Sequence, residues 1–252
     1  VLLLIFSSAL LFAVFRQSST IRNIYILHES QWLADCISSL IALALAVVLL
    51  CDILCKKHID VIFTIIPLIQ SVFLLTLSVD YLIARFLPHF HHTSPFSYRI
   101  ALVATAYSAI VIVVAVVAVL VYIGGKLQDE SDESCLPEAA LSFWAFSSLY
   151  NVCLLLQLIS ALFHSFLLCG KQFDCRIKTA ICIRIAVIFV LFVGPTSAIV
   201  LMRILRVIHV DIMSQTVILF VLLHSLCNTT FCVYRSSQLR KALSSSLLIC
   251  SS

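Results

Sequence analysis

Apolar residues run through this chain in seven long blocks, and the stretches between them are short and polar. The blocks cover about 1–15, 24–50, 59–85, 100–124, 139–168, 179–205 and 213–234. A helix crossing a bilayer needs about 20 mainly apolar residues, a length that every block but the first reaches. The first is about a third too short and reads as a truncated first helix of a chain whose start was cut, without a signal peptide. Between blocks lie a basic hinge at 16–23, a charged break at 51–58, and a loop at 86–99 with Pro88 and Pro95. An acidic loop at 125–138, a polar turn at 169–178 and a tight connection at 206–212 complete the set. Beyond the last block, Leu239, Ala242, Leu243 and Leu247 share one face at helical spacing among basic residues. That pattern predicts a short amphipathic helix lying on the membrane surface. The expected organisation is an all-α membrane protein. Residues 1–235 would form a seven-helix transmembrane bundle, and 236–252 a juxtamembrane helix with a short cytoplasmic tail.

Composition makes the bilayer the only reasonable solvent. The 252 residues are 62% hydrophobic and 11% charged, with a mean hydropathy of +1.15. A soluble domain is about 45–50% apolar and about 25% charged, so no water-facing surface can be built here. Four glycines and five prolines favour long helices over a barrel, whose strands alternate and turn often. A net charge of +4 does not point to nucleic acid. Most of the eleven cysteines sit in apolar runs, where a thiol acts as a small hydrophobe. With the first helix starting outside, eleven Lys and Arg fall on the inner side and five on the outer. The positive-inside rule then predicts an extracellular N-terminus and a cytoplasmic C-terminus in a multi-pass plasma-membrane protein.

Against this background four residues stand out: Asp35, Asp80, Pro195 and Asn228. A carboxylate at mid-bilayer costs about 2.5–3.5 kcal/mol on insertion scales, so Asp35 needs a purpose or a partner. It predicts either a polar site that holds Na⁺ or a proton, or a carboxyl satisfied by Asn228 or a serine. Asp80 closes the third block after Ser78-Val79, with Ala84 and Pro88 downstream; its plainer reading is an interfacial carboxylate. Pro195 removes a backbone hydrogen bond in mid-helix and so kinks the sixth block. Its neighbours Phe189 and Gly194 fall in the same bend. Asn228 precedes Tyr234-Arg235 and Leu239-Arg240-Lys241-Ala242-Leu243. The histidines at 89, 91 and 92 read as a basic inner loop rather than a metal site.

In order and spacing these residues resemble the rhodopsin-like (class A) G-protein-coupled receptors. The wording is closest to the melanocortin and lipid-receptor branch and to nematode serpentine chemoreceptors. The resemblance implies a sodium-linked polar switch at Asp35 and Asn228, and a G-protein-facing group at Asp80, Tyr81 and Arg85. It implies a hinge at Phe189 and Pro195, through which the sixth helix swings to admit a heterotrimeric G protein. It also implies an extracellular ligand in the outer half, with Asp60, Phe63, Thr64, Trp144 and Arg203 as candidate contacts. An outer disulfide between Cys55 and Cys135 is implied too, two free thiols being the alternative. The frame is kept but several landmarks are not. Tyr81 stands where the family carries the arginine after its acid, Val193 where it carries a tryptophan, and Thr229 where a proline follows the asparagine. A small transporter using buried Asp35 and Arg184 is the competing expectation, although no internal repeat supports it. No motif for catalysis is present: His28-Glu29 lacks a second histidine at zinc-ligand spacing. Neither an enzyme nor a cofactor other than sodium is therefore expected.

Overall fold

A bilayer core offers the backbone no hydrogen-bond partners, so each apolar run closes its own bonds by coiling into a helix. The computed structural model describes residues 1–17, 19–51, 56–93, 95–128, 140–168, 175–205 and 210–250. Side chains are described over 1–17, 25–48, 64–91, 96–116, 118–119, 148–168, 178–202, 205 and 216–244. The chain forms α1 (Leu2–Phe15), α2 (Ser19–Cys51), α3 (Lys56–Phe86), α4 (Pro88–Thr93) and α5 (Pro95–Gln128). There follow α6 (Ala140–Leu168), α7 (Cys175–Ile188), a π-helical turn (Phe189–Val193), α8 (Gly194–Ile204), α9 (Val210–Arg235) and α10 (Ser237–Cys250). Six of these helical stretches are long and apolar enough to cross a membrane. The molecule is thus an all-helical, multi-span membrane protein. Helix α1 is apolar but only 14 residues long.

Helix α3 is the axis of the bundle: 67% of its span is buried, against 17% for the span of α5. It packs against α2, α5, α6 and α9. One apolar cluster joins Leu45, Ile66, Tyr150, Phe192 and Val221, and a second joins Ala34, Phe73 and Ile110. Several hydroxyls are tolerated in this interior because they are satisfied within their own helix. Ser71, Ser78 and Ser160 each donate to the carbonyl four residues earlier at 2.7–2.8 Å. The bond from Ser71 also occupies the carbonyl of Pro67, a proline inside α3.

Two segments depart from the sequence expectation. The stretch 86–99 is largely helical rather than a loop, with Pro88 opening α4 and Pro95 opening α5. Proline suits the first turn, where its missing N–H has no partner to lose. Helix α5 also continues through Gly124 and Gly125 to Gln128, past the boundary expected at 124.

In the span made of α7, the π turn and α8 the bend takes a definite form. Pro195 has no N–H, and the preceding turn is widened over Phe189–Val193 so that the N–H of Gly194 reaches the Phe189 carbonyl. A β-carbon on Gly194 would lie 3.1 Å from that oxygen, so a side chain there would press on the turn. The widening also sets which aromatic faces inward. Phe189, the expected core aromatic, is 45% exposed, while Phe192 is fully buried. Phe192 stacks on His224 of α9 at 4.6 Å between ring centroids.

Helix α10 begins at a cap in which the Leu239 N–H donates to Ser236 Oγ at 3.2 Å. Tyr25 of α2 meets the same serine hydroxyl at 2.7 Å. Leu239 packs with Leu10, Val14 and Trp32, so α10 lies against α1 and α2.

Candidate functional site

A polar layer crosses the middle of the bundle, built from α2, α3 and α9. Asp35 is fully buried. Its Oδ1 accepts from Gln70 Nε2 of α3 at 2.8 Å and from Ser225 Oγ of α9 at 2.5 Å. Its Oδ2 accepts from Thr229 Oγ1 at 3.4 Å. One turn along α2, Ser38 and Ser39 are buried with hydroxyls that meet no partner among the described residues. The donor set is therefore all oxygen apart from the Gln70 amide nitrogen, which is the chemistry a hard cation accepts.

Asn228 belongs to the same layer but does not bond Asp35. Its Nδ2 donates to Gln31 Oε1 at 3.2 Å, and its Oδ1 accepts from Arg184 at 3.0 Å. Gln31 lies one turn from Asp35 on α2, and Asn228 one turn from Ser225 on α9. The two expected switch residues thus sit side by side, each linking α2 to α9, with separate partners.

Arg184 was not among the expected receptor site residues, yet it joins three spans. Its guanidinium lies over the Tyr81 ring of α3 at 4.8 Å and over the Phe231 ring of α9 at 5.2 Å. Tyr81 occupies the position where the resemblance expects an arginine. Here the cation comes from α7 and the aromatic from α3. Around this contact is a cavity of about 410 Å³ lined by α3, α6, α7 and α9. Tyr81, Ala84, Arg85 and Pro88 form one wall, with His164, Ile181, Arg184 and Arg235 on the others. It lies at the end of the bundle where α3, α6 and α9 finish.

Asp80 does not face that cavity. It is 7% exposed and accepts from Tyr98 Oη at 2.5 Å and from Arg99 Nε at 3.4 Å, both at the start of α5. Arg99 NH2 and His91 Nε2 lie 2.8 Å apart, and His91 is 3.9 Å from the carboxylate. The carboxylate is consequently held in a buried ion pair, whose partner arginine belongs to the segment read from sequence as a loop. The signal was present: Pro95 at a helix start places Tyr98 and Arg99 in its first turns. Among the described residues no cluster of three His, Cys, Asp or Glu side chains has the makings of a metal site.

Of the expected outer-half contacts, Thr64 is buried in α3. The side chains of Asp60, Phe63, Trp144 and Arg203, and residues Cys55 and Cys135, lie outside the described residues. No protein-family model matches the chain, and no curated protein matches it either.

Proposed function

We propose that the protein is a divergent rhodopsin-like G-protein-coupled receptor of the plasma membrane. In this reading α1 is the first of seven spans, the N-terminus is extracellular and the C-terminus cytoplasmic. The observation that carries the reading is the position of Arg184. It sits on the span that carries Pro195 and the widened turn, and it ties that span to Tyr81 and Asn228 across a cavity. Moving α7 outward would break both contacts and open the cavity toward the face where a G protein is expected. An extracellular ligand that favours the open arrangement shifts the population by its difference in affinity for the two shapes. Asp35, Ser38, Ser39, Ser225 and Thr229 are the residues that would hold a sodium ion, which would supply positive charge to the Asp35 carboxylate. They link α2 and α9, so their packing and the Arg184 contact are expected to change together. Asp80 keeps the family's position, but its partner is Arg99, and this frees the third span from an arginine latch of its own.

Recruitment of a panel of heterotrimeric G proteins to the full chain in cells tests the reading. At equal surface level, Arg184→Gln is expected to raise basal recruitment, because two contacts of the closed arrangement are lost. Absence of recruitment by every G protein, with the native chain and the variant both at the surface, would remove the receptor reading.

A further inference from the structure

The cavity around Arg184 holds a cation whose partners are all uncharged. Its one hydrogen bond among the described residues goes to the Asn228 amide oxygen, and it lies over the rings of Tyr81 and Phe231. A guanidinium has five N–H donors in a planar fork, so the edge not turned to Asn228 keeps donors to spare. Arg85 and Arg235 line the same space, where the lining carries no Asp or Glu among the described residues. A second group points to a ligand. His164 is 2% exposed, its ring lies 6.0 Å from that of Tyr81, and it lines the cavity. Its Nδ1–H donates to the Ser160 carbonyl at 2.8 Å, while its Nε2 meets no partner among the described residues. With the proton fixed on Nδ1, Nε2 is an acceptor in want of a donor. The remaining walls, at Ala84, Pro88, Leu167 and Ile181, are apolar.

We infer that this cavity is a binding site for a phosphate monoester on an apolar stem, the chemistry of a phosphatidic-acid headgroup. The Arg184 fork takes two phosphate oxygens, a geometry arginine matches in bidentate fashion. The protonated phosphate oxygen donates to His164 Nε2. Arg235 adds charge at the rim, and the ester stem lies on the apolar wall. The source we favour is the surrounding lipid, because the wall gives free inorganic phosphate nothing to contact. A bound anion would strengthen the hold of α7 on α3 and α9. This inference stands on the cavity and does not depend on the receptor reading, since its test measures binding rather than signalling.

The test uses the purified full chain in nanodiscs of zwitterionic phosphatidylcholine. Dioctanoyl phosphatidic acid, dioctanoyl phosphatidylcholine and inorganic phosphate are titrated separately, and the unfolding midpoint is followed. Phosphatidic acid is expected to raise the midpoint saturably, and phosphatidylcholine to leave it unchanged. Arg184→Gln should weaken the apparent affinity about tenfold or more, as loss of a charge-assisted bond does. Ala180→Trp, which fills the cavity from α7 and leaves Arg184 in place, should have the same effect. Absence of a saturable shift overturns the proposal, as does a shift that persists in both variants. Equal effects of inorganic phosphate and phosphatidic acid would overturn the lipid source.

Discussion

Asp35 and Asp80 are both buried carboxylates in the same bundle, but they are held in opposite ways. Asp80 is closed by Tyr98 and Arg99, which lie 18 and 19 residues further along the chain. These partners come from the next long helix, so the pair fastens two neighbours that the chain already connects. Asp35 is held by Gln70, Ser225 and Thr229, at separations of 35, 190 and 194 residues. Those partners are neutral; Gln70 comes from the next helix, α3, but Ser225 and Thr229 belong to α9, which only the tertiary fold brings to α2. A charged clasp between neighbours resists motion. A neutral set that includes a distant helix can exchange its partners at low cost, which is what a two-state element requires.

The contrast is broken most directly at Asp80. Asp80→Asn leaves the Arg99 guanidinium buried without its carboxylate, and a loss of about 3–5 kcal/mol is expected. Thermal unfolding in detergent measures it; a loss below about 1 kcal/mol would mean that the pair does not fasten α3 to α5. Next in size is a comparison of coupling energies by double-mutant cycles. The Asp80–Arg99 cycle is expected to give about 2–3 kcal/mol. The Asp35–Ser225 cycle should fall near the range of about 0.6–1.7 kcal/mol found for neutral hydrogen bonds between membrane helices. Equal values would erase the distinction between clasp and exchangeable set. The smallest effect on stability is expected for Asp35→Asn, about 1 kcal/mol, because the amide oxygen still accepts from two of the three donors. Unfolding midpoints of the two Asn variants, read side by side, decide whether the order holds.

Much of this was legible in the sequence where one residue broke a uniform background. A carboxylate in the middle of an apolar run marks itself, and so Asp35 and Asn228 were found as members of one polar layer. The helical spans were legible for the same reason. Arg184 was harder to see as a receptor residue because an arginine near the end of a span looks like an ordinary flank. Only the fold shows that Tyr81 and Phe231 converge on it. The Asp80 pair is hidden in the sequence because Pro88 and Pro95 read as loop residues, although both begin helices. The resemblance singles out Phe189 by its place before Pro195 along a regular helix, whereas Phe192 is the ring that is buried. The π turn changes that count, and nothing in the local residues announces it.

That turn has a mechanical meaning. A π turn accommodates one residue more than a regular helix of equal height, so the segments on either side are out of phase by about 100°. Ile188 before the turn and Phe192 within it both face the core. If the extra residue were drawn back into an ordinary helical winding, the segment carrying Arg184 would rotate about its own axis. The guanidinium would then leave Asn228 even if Thr196 and Ile199 beyond the bend did not move. One surplus residue stored between α7 and α8 would thus act as a twist held in reserve.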